Sequence, residues 1–352
     1  MPSSTSNSEP APRRATLHRS AVLAAVAVLA FFVTWEIYWR GQGYVPTLND
    51  SKNLFAKQWD LLDQLGKEDV VLAGASRIRF DIDLDAWQAT TGRRPVLLGV
   101  NGAAAWPILE GLAEDTAFNG TVVCNIASSF FWDLNGANAA KGAAWVGYAE
   151  GWSLAQRASH QIALFLEGRL AFLQQDDLSF HALASRLEPP PDREGAVGRA
   201  PFPPMLALID PDARERMLPK LASDPAYQKR VQDVWLAALD HATVVNDHEK
   251  AQLFERIQCA VSTLQSRGGK IIFLCLPSTA TYREYEERLW PRAQWFDALV
   301  KELDVTGIHF EDHPALQGFS CPEWSHLTQE DATRFTKALL EHTELGKLAK
   351  QP

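Results

Sequence analysis

Cysteine is scarce, with four residues in 352 (Cys124, Cys259, Cys275 and Cys321), and no two stand in a Cys-x-x-Cys or other ligand-like spacing. That excludes a disulfide-dense scaffold and argues against a structural zinc site. Basic charge is short as well: 34 Lys and Arg face 43 Asp and Glu, for a net charge of −9. The chain therefore has no general attraction for nucleic acid or anionic lipid. No internal repeat marks a solenoid or propeller. A hydrophobic content of 46% beside 22% charged residues excludes a disordered tail, a collagen-like chain and a polytopic transporter. What is there is enough for a real core: 39.1 kDa is about two domains' worth, or one α/β domain with a large insertion.

The N-terminus carries a targeting or anchoring signal. A Ser/Pro-rich tail with Arg13, Arg14 and Arg19 runs into Ala21 to Val33, a stretch without a polar side chain. Continued through Tyr38, this makes about 27 Å of helix with an aromatic end, enough for a thin bilayer. An uncleaved signal anchor at 21–38 is the preferred reading, with 1–20 as a cytoplasmic tail. The rival is a signal peptide cleaved after Val28 and Ala30, which would open the mature chain on Phe31, Phe32 and Val33. Arg13-Arg14 also resembles a twin-arginine signal, though its flanks match poorly. Arginines before the span are balanced by Arg40, Lys52 and Lys57 after it, so the default orientation decides. The expected location is the inner (plasma) membrane, single pass, with the body periplasmic or extracellular. Residues 1–40 hold four basic and two acidic side chains, so the body is left with 30 against 41.

After a juxtamembrane linker and amphipathic helix (41–66), short continuous apolar runs at Asp69–Ala73, Pro95–Val100, Thr121–Ile126, Ile271–Leu276 and Thr306–Phe310 read as buried strands. Helical stretches at Trp106–Thr116 and Thr328–Leu345 alternate with them. The fold class expected is α/β: a three-layer α/β/α arrangement with a mostly parallel, five-stranded, flavodoxin-like sheet. Its body would comprise 67–127 and 270–352. Residues 128–269, helical by pattern and broken at Pro189-Pro190-Pro191 and near Pro201, Pro203 and Pro204, are too long for a loop and read as a helical insertion or cap.

Ligands of such sheets bind beyond the carboxyl ends of the strands, where three features fall. Gly74-Ala75-Ser76-Arg77 follows the first strand, Asn101-Gly102-Ala103 the second, and Glu323-Trp324-Ser325-His326-Leu327 precedes the last helix. A serine on a Gly-led turn, a late histidine and a carboxylate three residues before it can form a nucleophile, base and orienting acid. The backbone amides of Ser76 and Gly102 can cradle an oxyanion. Arg77, Asn101 and Trp324 stand beside these ends as candidate substrate contacts, although Asp81, Asp83 and Asp85 offer Arg77 and Arg79 internal partners. Trp106 and Trp132 are candidate sugar-stacking rings or core. His309 and His313 flank Glu311 and Asp312 in a metal-like spacing that reads better as solvated loop chemistry. Cys124 and Cys275 read as buried free thiols. Nothing calls for a metal or a cofactor.

In order and spacing these blocks resemble the SGNH (GDSL-like) hydrolase superfamily, over residues 69–127 and 270–345. The text around Val71–Arg77 and Ser325-His326-Leu327 looks most like membrane-anchored relatives that act in bacterial envelope polysaccharide O-acylation. The resemblance implies Ser76 as nucleophile, Gly102 as oxyanion donor, His326 as general base and acid, and Glu323 in the orienting position. It also implies a glycan or acyl ester substrate and a membrane-bound O-acyltransferase partner. Three departures stand out: Ala75 replaces the usual Asp, Glu323 replaces Asp, and Ile126-Ala127-Ser128-Ser129 stands where Gly-x-Asn-Asp would supply a third oxyanion donor. Ser128, Ser129 or Asn125 are the candidates to replace it. The function expected is a serine esterase or O-acyltransferase; the alternative is a catalytically inactive glycan-binding or scaffolding subunit of an envelope assembly.

Overall fold

The computed structural model describes residues 14–114, 116–185 and 204–348; the proline breaks at 189–191, 201 and 203 lie outside them. In chain order the elements are α1 (Arg14–Gly41), α2 (Lys52–Trp59), β1 (Val70–Gly74), α3 (Ser76–Asp81), α4 (Leu84–Thr91), β2 (Val96–Gly99), α5 (Trp106–Glu114) and β3 (Thr121–Asn125). There follow α6 (Ser128–Phe131), α7 (Ala137–Glu150), α8 (Leu154–Glu167), α9 (Gln175–Leu178), α10 (Phe180–Ser185), β4 (Ala207–Ile209), β5 (Glu215–Met217), α11 (Pro219–Ser223) and α12 (Pro225–Asp240). The chain closes with α13 (Asp247–Ser266), β6 (Lys270–Cys275), α14 (Ala280–Leu289), α15 (Phe296–Leu303), β7 (Thr306–His309), α16 (Gln329–His342) and α17 (Leu345–Leu348).

Five strands form one sheet in the order β2-β1-β3-β6-β7, parallel throughout. This is the flavodoxin-like order, with a switch point at the β1 and β3 ends. Pairing is in simple register, Leu72 beside Leu97 and Val123, Leu274 beside Ile308. Because strand side chains alternate, successive residues serve opposite layers. Val71, Ala73, Val122, Cys124, Ile271 and Phe273 pack under α2, α5, α13 and α15, while Leu72, Leu97, Val123, Ile272 and Leu274 pack under α3, α4 and α16. Two-sided burial is why each strand reads as an unbroken apolar run.

The segment between β3 and β6 differs from a purely helical cap in two ways. It contains an antiparallel ribbon, β4 paired with β5, whose three-residue strands are too short to leave a period in the sequence. Its last helix, α13, buries Leu253, Phe254, Ile257 and Val261 in the core shared with α5 and the sheet, so the crossover into β6 is part of the α/β layer. All four cysteines are free. Among the described residues one helix is long and apolar enough to cross a membrane: Leu17–Gly41, of mean hydropathy 2.1 over its most apolar window, which has no buried residue. It is compatible with a membrane anchor or a signal.

Candidate active site

The parallel sheet brings the strand ends to one edge, and there the first strand turns sharply into α3. Gly74 is required: a Cβ would sit 2.8 Å from Ile78 Cγ2 and 2.9 Å from Asn125 Cβ. Ser76 opens α3, half-buried. The loop before α16 supplies its partners. His326 Nε2 lies 2.8 Å from Ser76 Oγ, and His326 Nδ1 lies 2.8 Å from Glu323 Oε1. The same Glu323 oxygen accepts the backbone N–H of His326 at 2.6 Å, and its other oxygen accepts from Ser325 N at 3.3 Å and from Trp235 Nε1 at 2.5 Å. Glu323 has no exposed surface; four donors stand in for water around it. Between acid and imidazole, Trp324 takes φ 77°, the left-handed region, a local cost that a bulky residue pays only where surrounding structure holds it. The imidazole stacks on Phe80, with centroids 4.2 Å apart, and meets the edge of Trp235 at 6.2 Å.

Structure thus joins Ser76, His326 and Glu323 in one hydrogen-bonded chain. Gly102 sits at the β2 end with φ 62°, and its N–H and that of Ser76 have no acceptor among the described residues. Of the three candidates for a further donor, Asn125 turns into the sheet, fully buried and donating to Leu274 O at 3.1 Å. Ser129 Oγ shares a hydrogen bond of 2.7 Å with Tyr282 OH. Ser128 lines the same cavity as Ser76, and its hydroxyl has no partner among the described residues.

That cavity, of about 650 Å³, spans the strand ends, within the ~300–1,000 Å³ usual for small-molecule sites. One wall, over β2, is charged. Arg79 pairs with Asp50 at 2.6 Å and Glu215 at 3.0 Å, Asn101 Nδ2 donates to Glu215 at 2.7 Å, and Lys141 Nζ donates to Asn101 O at 2.6 Å. Burial pushes the Glu215 carboxyl up to about 7 against the pull of Arg79. Asp176, on the same wall, is pushed up to about 6 by the protein around it and by the charges of Asp50 and Asp177. The opposite wall, over β3 and β6, is aromatic: Phe130, Trp132, Tyr282 and Trp290. Residues of the β3–β6 segment, from Pro204 to Ile209 and from Trp235 to Val245, close it over.

Two candidate substrate contacts lie elsewhere. Arg77 turns inward, almost wholly buried, pairing with Glu286 at 3.0 Å and lying over the Tyr282 ring at 5.0 Å. Burial would lower its pKa, but Glu286 overrides it and the guanidinium stays charged. Because a charge without water needs its counter-ion, Arg77 buttresses the site from behind. Trp324 is half-buried outside the cavity lining; Asn101 and Gly102 do line it. Trp106 and Trp132 are buried in the core, with Trp132 also reaching the cavity. His309 is buried, and burial brings it down to about 3. No group of three or more His, Cys, Asp or Glu among the described residues is placed to hold a metal.

Sequence reasoning missed Trp235, Tyr282 and Glu286, and it took Asp81 as a partner for Arg77 or Arg79, not as a support for the histidine loop. Asp81 accepts from Leu327 N at 2.8 Å, so it pins the loop that carries His326, and burial holds its carboxyl well above the usual range. None of these has a local signature, since each acts on a partner between 88 and 246 residues away or on a neighbouring layer. No protein-family model matches the chain, and no curated protein matches it.

Proposed function

We propose that the protein is a serine ester hydrolase or O-acyltransferase of the SGNH-like kind, held at a membrane by α1 with its body on the outer side. The observation that supports this most is the Ser76–His326–Glu323 chain, at 2.8 and 2.8 Å, opening into the cavity. In this reading His326 Nε2 takes the Ser76 proton as Oγ attacks an ester carbonyl. The amides of Ser76 and Gly102 hold the oxyanion, with the Ser128 hydroxyl beside them. His326 returns the proton to the leaving alcohol, and the acyl-serine passes its acyl group to water or to a glycan hydroxyl. A membrane-bound O-acyltransferase is the partner proposed for the second case, and an acylated envelope glycan the substrate.

A second reading keeps the fold and drops the chemistry, as a glycan-binding or scaffolding subunit. It rests on Asn125, whose side chain is spent within the sheet. The two are separated with the full-length chain in detergent, by p-nitrophenyl acetate hydrolysis and by fluorophosphonate labelling. The esterase reading expects both in the wild type and neither in Ser76→Ala or His326→Ala of unchanged circular dichroism. A folded wild type that neither turns over nor labels at Ser76 would sink it.

A further inference from the structure

Helix α8 is amphipathic the wrong way round. At 3.6 residues per turn, Leu154, Phe165, Ala158, Ile162, Ala155 and Leu166 fall within an arc of about 120°, the width of a stripe that ordinarily faces a core. Here the arc faces outward: Leu154 is 83% exposed, Ile162 62% and Phe165 56%, and Ala155 and Ala158 are exposed with them. The inner side carries His160, buried, and Leu164, which packs against the cluster of Leu48, Leu54, Ile209 and Ala213. A contiguous outward apolar face of this kind marks an interaction surface.

What covers it is indicated by its neighbour. The chain leaves α8 and meets the end of α1 at once: Glu36 accepts from Ala171 N at 2.9 Å and Phe172 N at 3.2 Å, and Arg40 donates to Arg169 O at 2.8 Å. Phe32 stacks on Phe172 with centroids 5.7 Å apart. The contacting turn of α1 also carries the cluster Trp35, Tyr38 and Trp39, and such rings settle at the level of lipid headgroups. The segment after α8 is therefore fastened to the membrane helix at the depth where a bilayer ends.

We propose that the outer face of α8 lies in the membrane interface as a second, monotopic contact, with the lipid bilayer as its occupant. This rests on α1 being a membrane anchor. Helices of this pattern sink their apolar side to the boundary of headgroups and acyl chains. The consequence for the cavity is direct. Leu164, on the inner side of α8, packs against the cluster of Leu48, Leu54, Ile209 and Ala213, of which Ile209 lines the cavity, and Asp176, three residues beyond Leu173, lines it too. In this arrangement α8 and that cluster lie between the Ile209 end of the cavity and lipid, so the cavity is placed for substrates presented at the bilayer surface.

The test is site-directed spin labelling of the full-length chain in phosphatidylethanolamine/phosphatidylglycerol liposomes. Single cysteines replace Val28, Ile162, Phe165 and Lys337 in a Cys259→Ser background, whose other three thiols are buried. Relative access to oxygen and to a water-soluble nickel chelate gives depth. The expected result is a label at 28 in the hydrocarbon, labels at 162 and 165 at least tenfold better shielded from nickel than the label at 337, and oxygen access retained. Nickel access at 162 and 165 equal to that at 337 overturns the proposal, and so does loss of access to both probes, which means a protein covers the face. A label at 28 open to nickel overturns the anchor reading itself.

Discussion

The indole N–H of Trp235 donates to Glu323 Oε2 at 2.5 Å, so a residue of α12, in the segment that closes the cavity, completes the hydrogen bonding of the candidate acid. Glu323 uses one oxygen for His326 and the other for Trp235 and Ser325. The roof and the candidate site are one hydrogen-bonded network.

Replacing Trp235 by Phe keeps the ring and deletes the donor. A hydrogen bond to a charged group contributes about 1.5–3 kcal/mol, so kcat for p-nitrophenyl acetate is expected to fall at least tenfold. Steady-state kinetics of the folded variant check this, and a kcat within threefold of wild type would mean that the indole only packs.

Glu323→Gln places an amide where four donors converge. Whichever way the amide points, its NH2 faces a donor or the imidazole is driven to the wrong tautomer. The expected loss in kcat is about 10⁴-fold, the order seen when a triad acid becomes its amide, with a lower melting temperature. Steady-state kinetics that stay within tenfold of wild type would remove Glu323 from the acid's role.

Arg77→Met strands Glu286, 3% exposed, without its counter-ion. Breaking a buried pair from one side costs about 3–5 kcal/mol, whereas Arg77→Met with Glu286→Leu is expected to recover most of it. Denaturant titration of the two variants in detergent gives both numbers; equal losses would show that the pair's charge is not what matters.

His309, buried and brought down to about 3, sets a stability slope on acidification. Below about pH 6.5 the unfolded chain binds a proton there that the folded chain refuses until about pH 3. Unfolding therefore gains up to about 1.4 kcal/mol per pH unit across that window, and the stability is fully present above it. Against His309→Asn, which cannot titrate, the wild type is expected to lose melting temperature progressively from pH 6.5 to 4. Parallel curves for the two proteins would contradict this.

The strands were legible because burial on both faces erases alternation, leaving Val70–Gly74, or β6 after its exposed Lys270, as plain apolar runs beside turn residues. Ser76, Glu323 and His326 were legible because a Gly-led turn and a three-residue spacing are local. Arg77 was open to two readings from its neighbours alone, since the carboxylate that claims it, Glu286, is 209 residues away on α14. The ribbon β4–β5 and the outward face of α8 were illegible for different reasons: three-residue strands carry no period, and an apolar stripe has the same sequence whether it meets a core or a lipid.

Ser76 and His326 stand 250 positions apart in the chain, and the loop bearing the imidazole is seated through Asp81 and Leu327 while α16 docks on α3 and α4. A contact of that span closes late, because long loops must be gathered before it repays them. In the proposed reading a chain that lacks residues beyond 325 holds Ser76 without His326, and the hydroxyl gains its base only when the loop before α16 is seated. The order of folding would then itself serve as a safety catch on the proposed chemistry.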